Sequence, residues 1–372
     1  MAKIGILTFH RAENFGAVLQ TYALQCYLAS QGHDVEIIDY RCNAIEHQYK
    51  IFDFSIFLNY NLIDALSLLK KRLFSLFDRL EKKTKYKNFR KHFLNITDKV
   101  IIKSEQLNVF NVIITGSDQV WSIRLTNGMD PFYFLDFKLN EKVKKISYAA
   151  SSEIHSYKDL VTDKNIIKAL NDYDAISVRE LQLKDILQNE IKTEIELTLD
   201  PVYLIDKDQF KQLSIKPKEK DYILIYHLAY SDESVKLAEL MAQNKNLDIV
   251  EIHAGYEKHN GGKGKYNVGP QELLGYIINA DYVITTSFHG IALSILFEKE
   301  FYAINKGANQ RLLNLLSILG IEDRLLTNYK NLGNKRIDYS KVNDKLIPYI
   351  ISSKEFLNKN IKLNEKNSFL FK

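Results

Sequence analysis

Cysteine is nearly absent from this chain. Cys26 and Cys42 are the only two in 372 residues, and neither belongs to a CxxC pair. Both read as reduced, half-buried thiols, and neither suggests a zinc site. Long apolar runs are missing as well: no stretch reaches 18 apolar residues, so nothing is expected to span a membrane. The opening MAKIGILTF passes directly into a strand-like run, without the apolar core and small-residue cleavage site of a signal peptide. Cytoplasmic residence is therefore the expectation. The GxGxxG spacing of a dinucleotide site and the GxxxxGK[ST] spacing of a Walker A loop are also absent, which leaves the glycine run NGGKGKYNVGP as a flexible loop. No internal repeat is visible.

What remains is ordinary globular material, 46% hydrophobic and 26% charged, enough for two domains or one large one. The net charge of +5 is uneven. Ser67 to His92 holds ten Lys or Arg against Asp78 and Glu81, so this stretch carries +8 and the rest about −3. No RNP, zinc-finger or helix-turn-helix pattern accompanies it, and nucleic acid is not expected as a partner. Leu68, Leu69, Leu73, Leu76, Phe77 and Leu80 fall at helical spacing among its cations. That pattern suits a helix packed on a domain with a solvated basic face, or one lying on an anionic membrane surface.

Short β-branched runs alternate with helix-period segments, the signature of βαβ units and a parallel sheet. KIGILTF, VEIIDY, VFNVIITG, KKISYAA and YDAISVR read as strands of a first series, and YILIYHL, LDIVEI, DYVITT and EFYAIN as strands of a second. IELTLDPVYLI reads as a strand with an extended Asp200-Pro201 exit, and the boundary is placed after it. The expected division is residues 1–205, with a basic helical insertion at about 50–95, then 206–345, and a helix or solvated tail over 346–372. Two α/β halves of this kind imply a cleft between them.

Polar residues gather where strands end, which is where open α/β sheets bind ligands. After the first strand stand His10, Asn14 and Gly16, with ligand contact and a plain helix-capping turn both open. In VIITGSDQVW, Ser117, Asp118, Gln119 and Trp121 could form a sugar platform, or Trp121 could be a core anchor beside an Asp118 cap. Arg179 in AISVRE suits a carboxylate or phosphate, or an ion pair with Glu180 or Asp174. In TTSFHG, the hydroxyls of Thr285, Thr286 and Ser287 and the free N–H groups near Gly290 could ring a phosphate, with His289 moving a proton. Lys306 and Arg311 could add positive charge to the same cleft. No cluster has metal-ligand spacing, and no metal is expected.

In order and spacing, NFGAVLQTYALQCYL, VIITGSDQVW, FYFLDF with KKISYAASS, DAISVRE, LDPVYLI and DYVITTSFHGIALSILFEKEFYAI resemble the polysaccharide pyruvyl transferase family over about residues 3 to 325. The resemblance implies two Rossmann-like domains facing across a cleft in a GT-B-like arrangement. It also implies phosphoenolpyruvate as donor and a pyruvate ketal on a sugar as product. The second domain would be the donor side, the first the acceptor side. His289 would be the general acid, with Asp118 or His10 as base. Arg179, Thr286, Ser287, Gly290, Lys306 and Arg311 would hold the donor; Asn14, Gly16, Ser117, Gln119 and Trp121 would face the acceptor. No cofactor is required beyond phosphoenolpyruvate as co-substrate, and the acceptor could be lipid-linked. Another branch of the family carries arginine where this chain has Ser287. Arg179, Lys306 or Arg311 would then take its place, or the donor differs. A GT-B-like glycosyltransferase using a nucleotide sugar and a non-catalytic carbohydrate-binding protein are the alternatives.

Overall fold

Strand-forming runs flanked by capped helices fold into two parallel sheets. The computed structural model describes residues 1–50, 66, 70, 73, 75–257, 259, 262–305, 310–332 and 335–362. The first sheet holds β1 (Lys3–Leu7), β2 (Asp34–Ile37), β3 (Val112–Thr115), β4 (Lys144–Ala150), β5 (Ala175–Val178) and β6 (Ile195–Leu197), ordered β2-β1-β3-β4-β5-β6. Every pairing in it is parallel. The second holds β7 (Tyr222–His227), β8 (Asp248–His253), β9 (Tyr282–Thr285), β10 (Glu300–Ile304) and β11 (Leu325–Leu326), ordered β11-β10-β9-β7-β8, again all parallel. Helices cover both faces, as parallel sheets require.

Alternation along the strands sets the packing. Ile4, Ile6, Val112 and Ile114 of the first sheet share one continuous core with Leu224, Tyr226, Val250, Val283 and Phe301 of the second. The intervening residues turn outward, Ile113 and Ile176 into a second core and Ile223, Ile225 and Ile284 into a third. The two halves are thus joined by apolar packing as well as by chain.

In each sheet the strand order reverses at one point, between β1 and β3 and between β7 and β9. Crevices open at such switch points beyond the carboxyl ends of the strands. Gly116 closes the first junction: its N–H donates to the Leu7 carbonyl at 3.1 Å, and the Thr8 hydroxyl donates to the Ser117 carbonyl at 2.9 Å. A β-carbon on Gly116, which has φ +110, would stand 2.3 Å from the Tyr148 carbonyl oxygen, so only glycine fits.

Two segments tie the halves together. The basic stretch becomes the helix Leu76–Phe93, whose Lys82, Tyr86 and Phe89 are buried. Lys82 donates to the Ala254 carbonyl at 2.6 Å, and Lys85 pairs with Glu272 at 2.8 Å. Leu68 and Leu69 lie outside the described residues. The helix Tyr339–Ile361 runs back onto the first sheet, where Ser353 accepts the Leu199 N–H at 2.9 Å. Phe356, Leu357 and Ile361 are buried there, so up to residue 361 this segment is a packed helix and not a solvated tail.

Candidate active site between the two sheets

Asp200 organises a buried cluster where the halves meet. It sits just past β6, and its carboxylate accepts the Val202 N–H at 3.1 Å as the cap of a short 3-10 turn started by Pro201. Its Oδ2 accepts Arg179 Nη1 at 2.6 Å and the Ser117 hydroxyl at 3.4 Å. His289 Nε2, from the second half, lies 3.2 Å from the same oxygen. Burial alone would raise the Asp200 carboxyl, yet the His289 and Arg179 charges bring it down to about 2. The carboxylate is charged at every working pH.

Arg179, at the end of β5, spends Nη1 on Asp200 and Nε on Glu180 at 3.2 Å, while its buried Nη2 has no hydrogen-bond partner. Glu180 in turn accepts the Ser151 hydroxyl at 2.7 Å. The guanidinium also lies over the Phe288 ring at 4.4 Å. Arg311 lines the same narrow cavity of about 20 Å³, with Asp200, Tyr203 and Phe288. Burial and the nearby Arg179 charge lower its pKa. Two cations, one of them with a free N–H, therefore converge on a space that holds one water-sized guest. A larger anion enters only if Arg311 or the adjoining half moves.

His289 is set by packing across the halves. It opens the helix Phe288–Leu296, and a β-carbon on Gly16 would stand only 1.9 Å from its Nδ1. Gly16 thus belongs to the site as the surface on which the histidine ring rests. Asn14 caps the helix Phe15–Ser30, accepting the Ala17 N–H at 3.2 Å. Asp118 and Gln119 stay half-buried beside the cluster, and Asp118 lies near enough to strengthen the charge on Arg179.

Several expected contacts are replaced by structural ones. The Thr286 hydroxyl accepts the N–H groups of Leu228 and Ala229 and donates to the Ala229 carbonyl, which ties β9 to β7. Thr285 donates to the Tyr226 carbonyl at 2.8 Å. Ser287 is the helix cap and accepts the Gly290 N–H at 3.3 Å, so that N–H is not free. The phosphate ring drawn from these hydroxyls faces competition from the backbone: Thr285 and Thr286 donate to carbonyls, and the Ser287 oxygen serves the helix cap. Trp121 is corrected, since its ring is fully buried, stacked on Phe134 at 6.0 Å, and offers no face to a sugar. His10 is fully buried with Nε2 3.2 Å from Asp39 and is not in the cluster. Burial lowers its pKa despite that carboxylate. Lys306 lies outside the described residues. Asp174 accepts the Lys145 N–H, so of the two expected partners only Glu180 meets Arg179.

Asp200 itself escaped the sequence reading because Asp-Pro after a strand is an ordinary turn signal. A second buried group escaped it as well: His227 at the end of β7 lies beside Glu251 and His253 on β8. The link between Glu13 and Tyr256, whose hydroxyl donates to the Glu13 carboxylate across the halves, was likewise not foreseen.

A family model described as polysaccharide pyruvyl transferase matches residues 14–306. Among solved structures, the chain is similar to MnaA of S. aureus bound to UDP, at 10% identity and a TM-score of 0.45, covering 95% of this chain and 91% of that one. It is also similar to the UDP-GlcNAc 2-epimerase of Neisseria meningitidis bound to UDP-GlcNAc, at 10% identity and a TM-score of 0.41, covering 98% and 95%. The heptosyltransferase WaaC of E. coli with ADP follows at 14% identity and a TM-score of 0.35, covering 96% and 99%. No curated protein matches the sequence.

Proposed function

The chain belongs to the polysaccharide pyruvyl transferase family, and from that premise we propose that it moves the pyruvyl group of phosphoenolpyruvate onto a sugar as a ketal during synthesis of a cell-surface polysaccharide. The observation that carries this reading is the buried Arg179–Asp200–His289 cluster, with Arg311 beside it. It pairs a proton carrier with anion holders, which is what an enol phosphate demands.

In this scheme the free N–H of Arg179 and the charge of Arg311 hold the donor's carboxylate and phosphate. Asp200 holds the His289 imidazolium, and His289 delivers its proton to the methylene carbon. The neighbouring carbon becomes electrophilic and takes a sugar oxygen. Its bond to phosphate breaks, and a second hydroxyl closes the ketal. The two hydroxyl protons released balance the one gained by carbon and the one carried off by phosphate. Asp118, half-buried at the mouth of the first switch point, is the base for the attacking hydroxyl.

Arg179 fills the anion-holding place that Ser287 cannot. A ligand bound only by the native state raises the melting temperature by mass action, so phosphoenolpyruvate at millimolar concentration raises it here. Arg179→Lys, which keeps the charge but loses the planar fork, abolishes the shift while staying folded. No shift in the wild type, with a shift from a nucleotide sugar, would replace this reading with glycosyl transfer.

A lipid-linked acceptor would bring the protein to the inner membrane face. Among the described residues no helix is long and apolar enough to cross a membrane. Phe77 is 85% exposed on a helix that also exposes Lys83, Lys87 and Lys91, which supports peripheral contact. Equal co-sedimentation with neutral and anionic vesicles at low salt would remove that contact.

A further inference from the structure

We infer that His227, Glu251 and His253 form a binding site for one divalent transition-metal ion, with an open coordination position facing the adjoining cavity. The site is separate from the Arg179–Asp200–His289 cluster and does not depend on the donor's identity.

The fold builds this group from two strands. Glu251 and His253 stand two apart on β8, so they share one face of the sheet. His227 is the register partner of His253 on the parallel neighbour β7 and projects from that same face. One donor atom from each of the three lies within 4.8 Å of the others, and all three residues are buried. His227 Nε2 and His253 Nε2 stand 3.2 and 2.9 Å from Glu251 Oε1. Ligands about 2.0–2.1 Å from a tetrahedral ion are separated by roughly 3.3 Å, so the spacing requires little movement.

Proximity alone would also describe a hydrogen-bonded triad, but the three atoms complete no hydrogen bond. His227 Nε2, His253 Nε2 and Glu251 Oε1 all lack a hydrogen-bond partner despite those short distances. Buried polar atoms left in that condition call for an explanation, and a shared cation supplies it. The rings of His227 and His253 stack at 5.0 Å, and His253 stacks on Tyr266 at 4.3 Å, which holds both imidazoles in place. A β-carbon on Gly264 would stand 2.8 Å from His253 Nε2, so the glycine leaves that nitrogen's surroundings clear.

The charges fit a cation. Two imidazole nitrogens and one carboxylate form a donor set suited to zinc, and also to ferrous iron. Lys82 is the nearby positive charge, and it is engaged by the carbonyls of His253 and Ala254. A cavity of about 390 Å³ opens beside the group, lined by His227, His253, Tyr230, Tyr256 and His259. It gives the ion an entry path and a place for a fourth ligand.

The test uses the full chain without an affinity tag, treated with chelator and then titrated with Zn²⁺ by calorimetry and with Co²⁺ by visible absorption. One ion per chain is expected, with the intense visible bands of low-coordinate cobalt. His227→Gln and Glu251→Gln should each weaken binding by at least about 100-fold, and the exposed His155→Gln should leave it unchanged. Folded wild type that takes up neither ion at about 100 μM overturns the proposal, whatever the variants do. So does unchanged stoichiometric binding in folded His227→Gln and Glu251→Gln chains, because the ion then sits elsewhere.

Discussion

Among the described residues, His10–Asp39, His289–Asp200 and Glu251 with His227 and His253 are buried histidine–carboxylate groups, and the last two are wired differently. At Asp200 the carboxylate is met by Arg179, by a backbone N–H and by a serine hydroxyl before His289 approaches. At Glu251 no guanidinium pairs with the carboxylate among the described residues, and two imidazoles crowd one oxygen without completing a hydrogen bond to it. The first is a charge network whose guanidinium keeps a free N–H, which suits an anion. The second is a set of converging lone pairs, which suits a cation. In both, a glycine lies against a histidine nitrogen, Gly16 at His289 and Gly264 at His253. The histidine and carboxylate alone do not separate these uses; the guanidinium beside Asp200 and the second imidazole beside Glu251 do.

Replacing each carboxylate sharpens the comparison most. Asp200→Asn strips the counter-charge from a buried guanidinium, and denaturant unfolding should record a loss of about 3 kcal/mol, the lower end for a broken buried pair because Glu180 still touches Arg179. Glu251→Gln leaves imidazoles that can stay neutral, so its loss should be below about 1 kcal/mol. Equal losses would mean the two groups are wired alike.

Gly16→Ala comes next. The new methyl would collide with the His289 ring, and overpacking of this kind costs about 1–3 kcal/mol. Turnover should fall further than stability explains, because the ring that carries the proton is pushed aside.

Acid separates Asp200 from ordinary surface carboxylates. Its folded pKa is depressed to about 2, below the usual unfolded value, so its contribution is complete above about pH 4 and disappears as pH falls toward 2. The size is roughly 2 kcal/mol. Denaturant midpoints at pH 5 and pH 2.5 should show this loss in the wild type and a flatter response in Asp200→Asn.

Ser287→Ala should matter least. It removes a helix cap, worth about 1 kcal/mol, and leaves both charged groups intact. A large loss of donor affinity in this variant would restore the hydroxyl to the anion site.

Much of this was legible along the chain. Runs such as VIITG and DYVITT declare buried parallel strands, and the junctions after them do line the switch points of the two sheets. Arg179 and His289 stand out in sequence as a cation and a histidine at strand ends, and the structure brings both to Asp200, though Arg179 also makes the ion pair with Glu180 that the sequence left open. The remainder depends on what the backbone needs. Thr286 and Ser287 look free in sequence, yet a strand end and a helix start have N–H groups that claim such hydroxyls first. Trp121 reads equally as a platform or a core anchor in sequence, and its burial against Phe134 and Tyr173 makes it the anchor. His227 and Glu251 are 24 positions apart, and only the β7–β8 register makes them neighbours.

The account rests on His289 as the proton donor to phosphoenolpyruvate. The direct measurement is phosphate release and ketal formation with phosphoenolpyruvate and a panel of sugar acceptors, run on wild type and His289→Gln preparations of matched melting temperature. Glutamine keeps the size and a hydrogen bond but cannot deliver the proton, so turnover should fall by about 100-fold or more while the donor still raises the melting temperature. A folded His289→Gln chain that turns over near the wild-type rate would contradict the account.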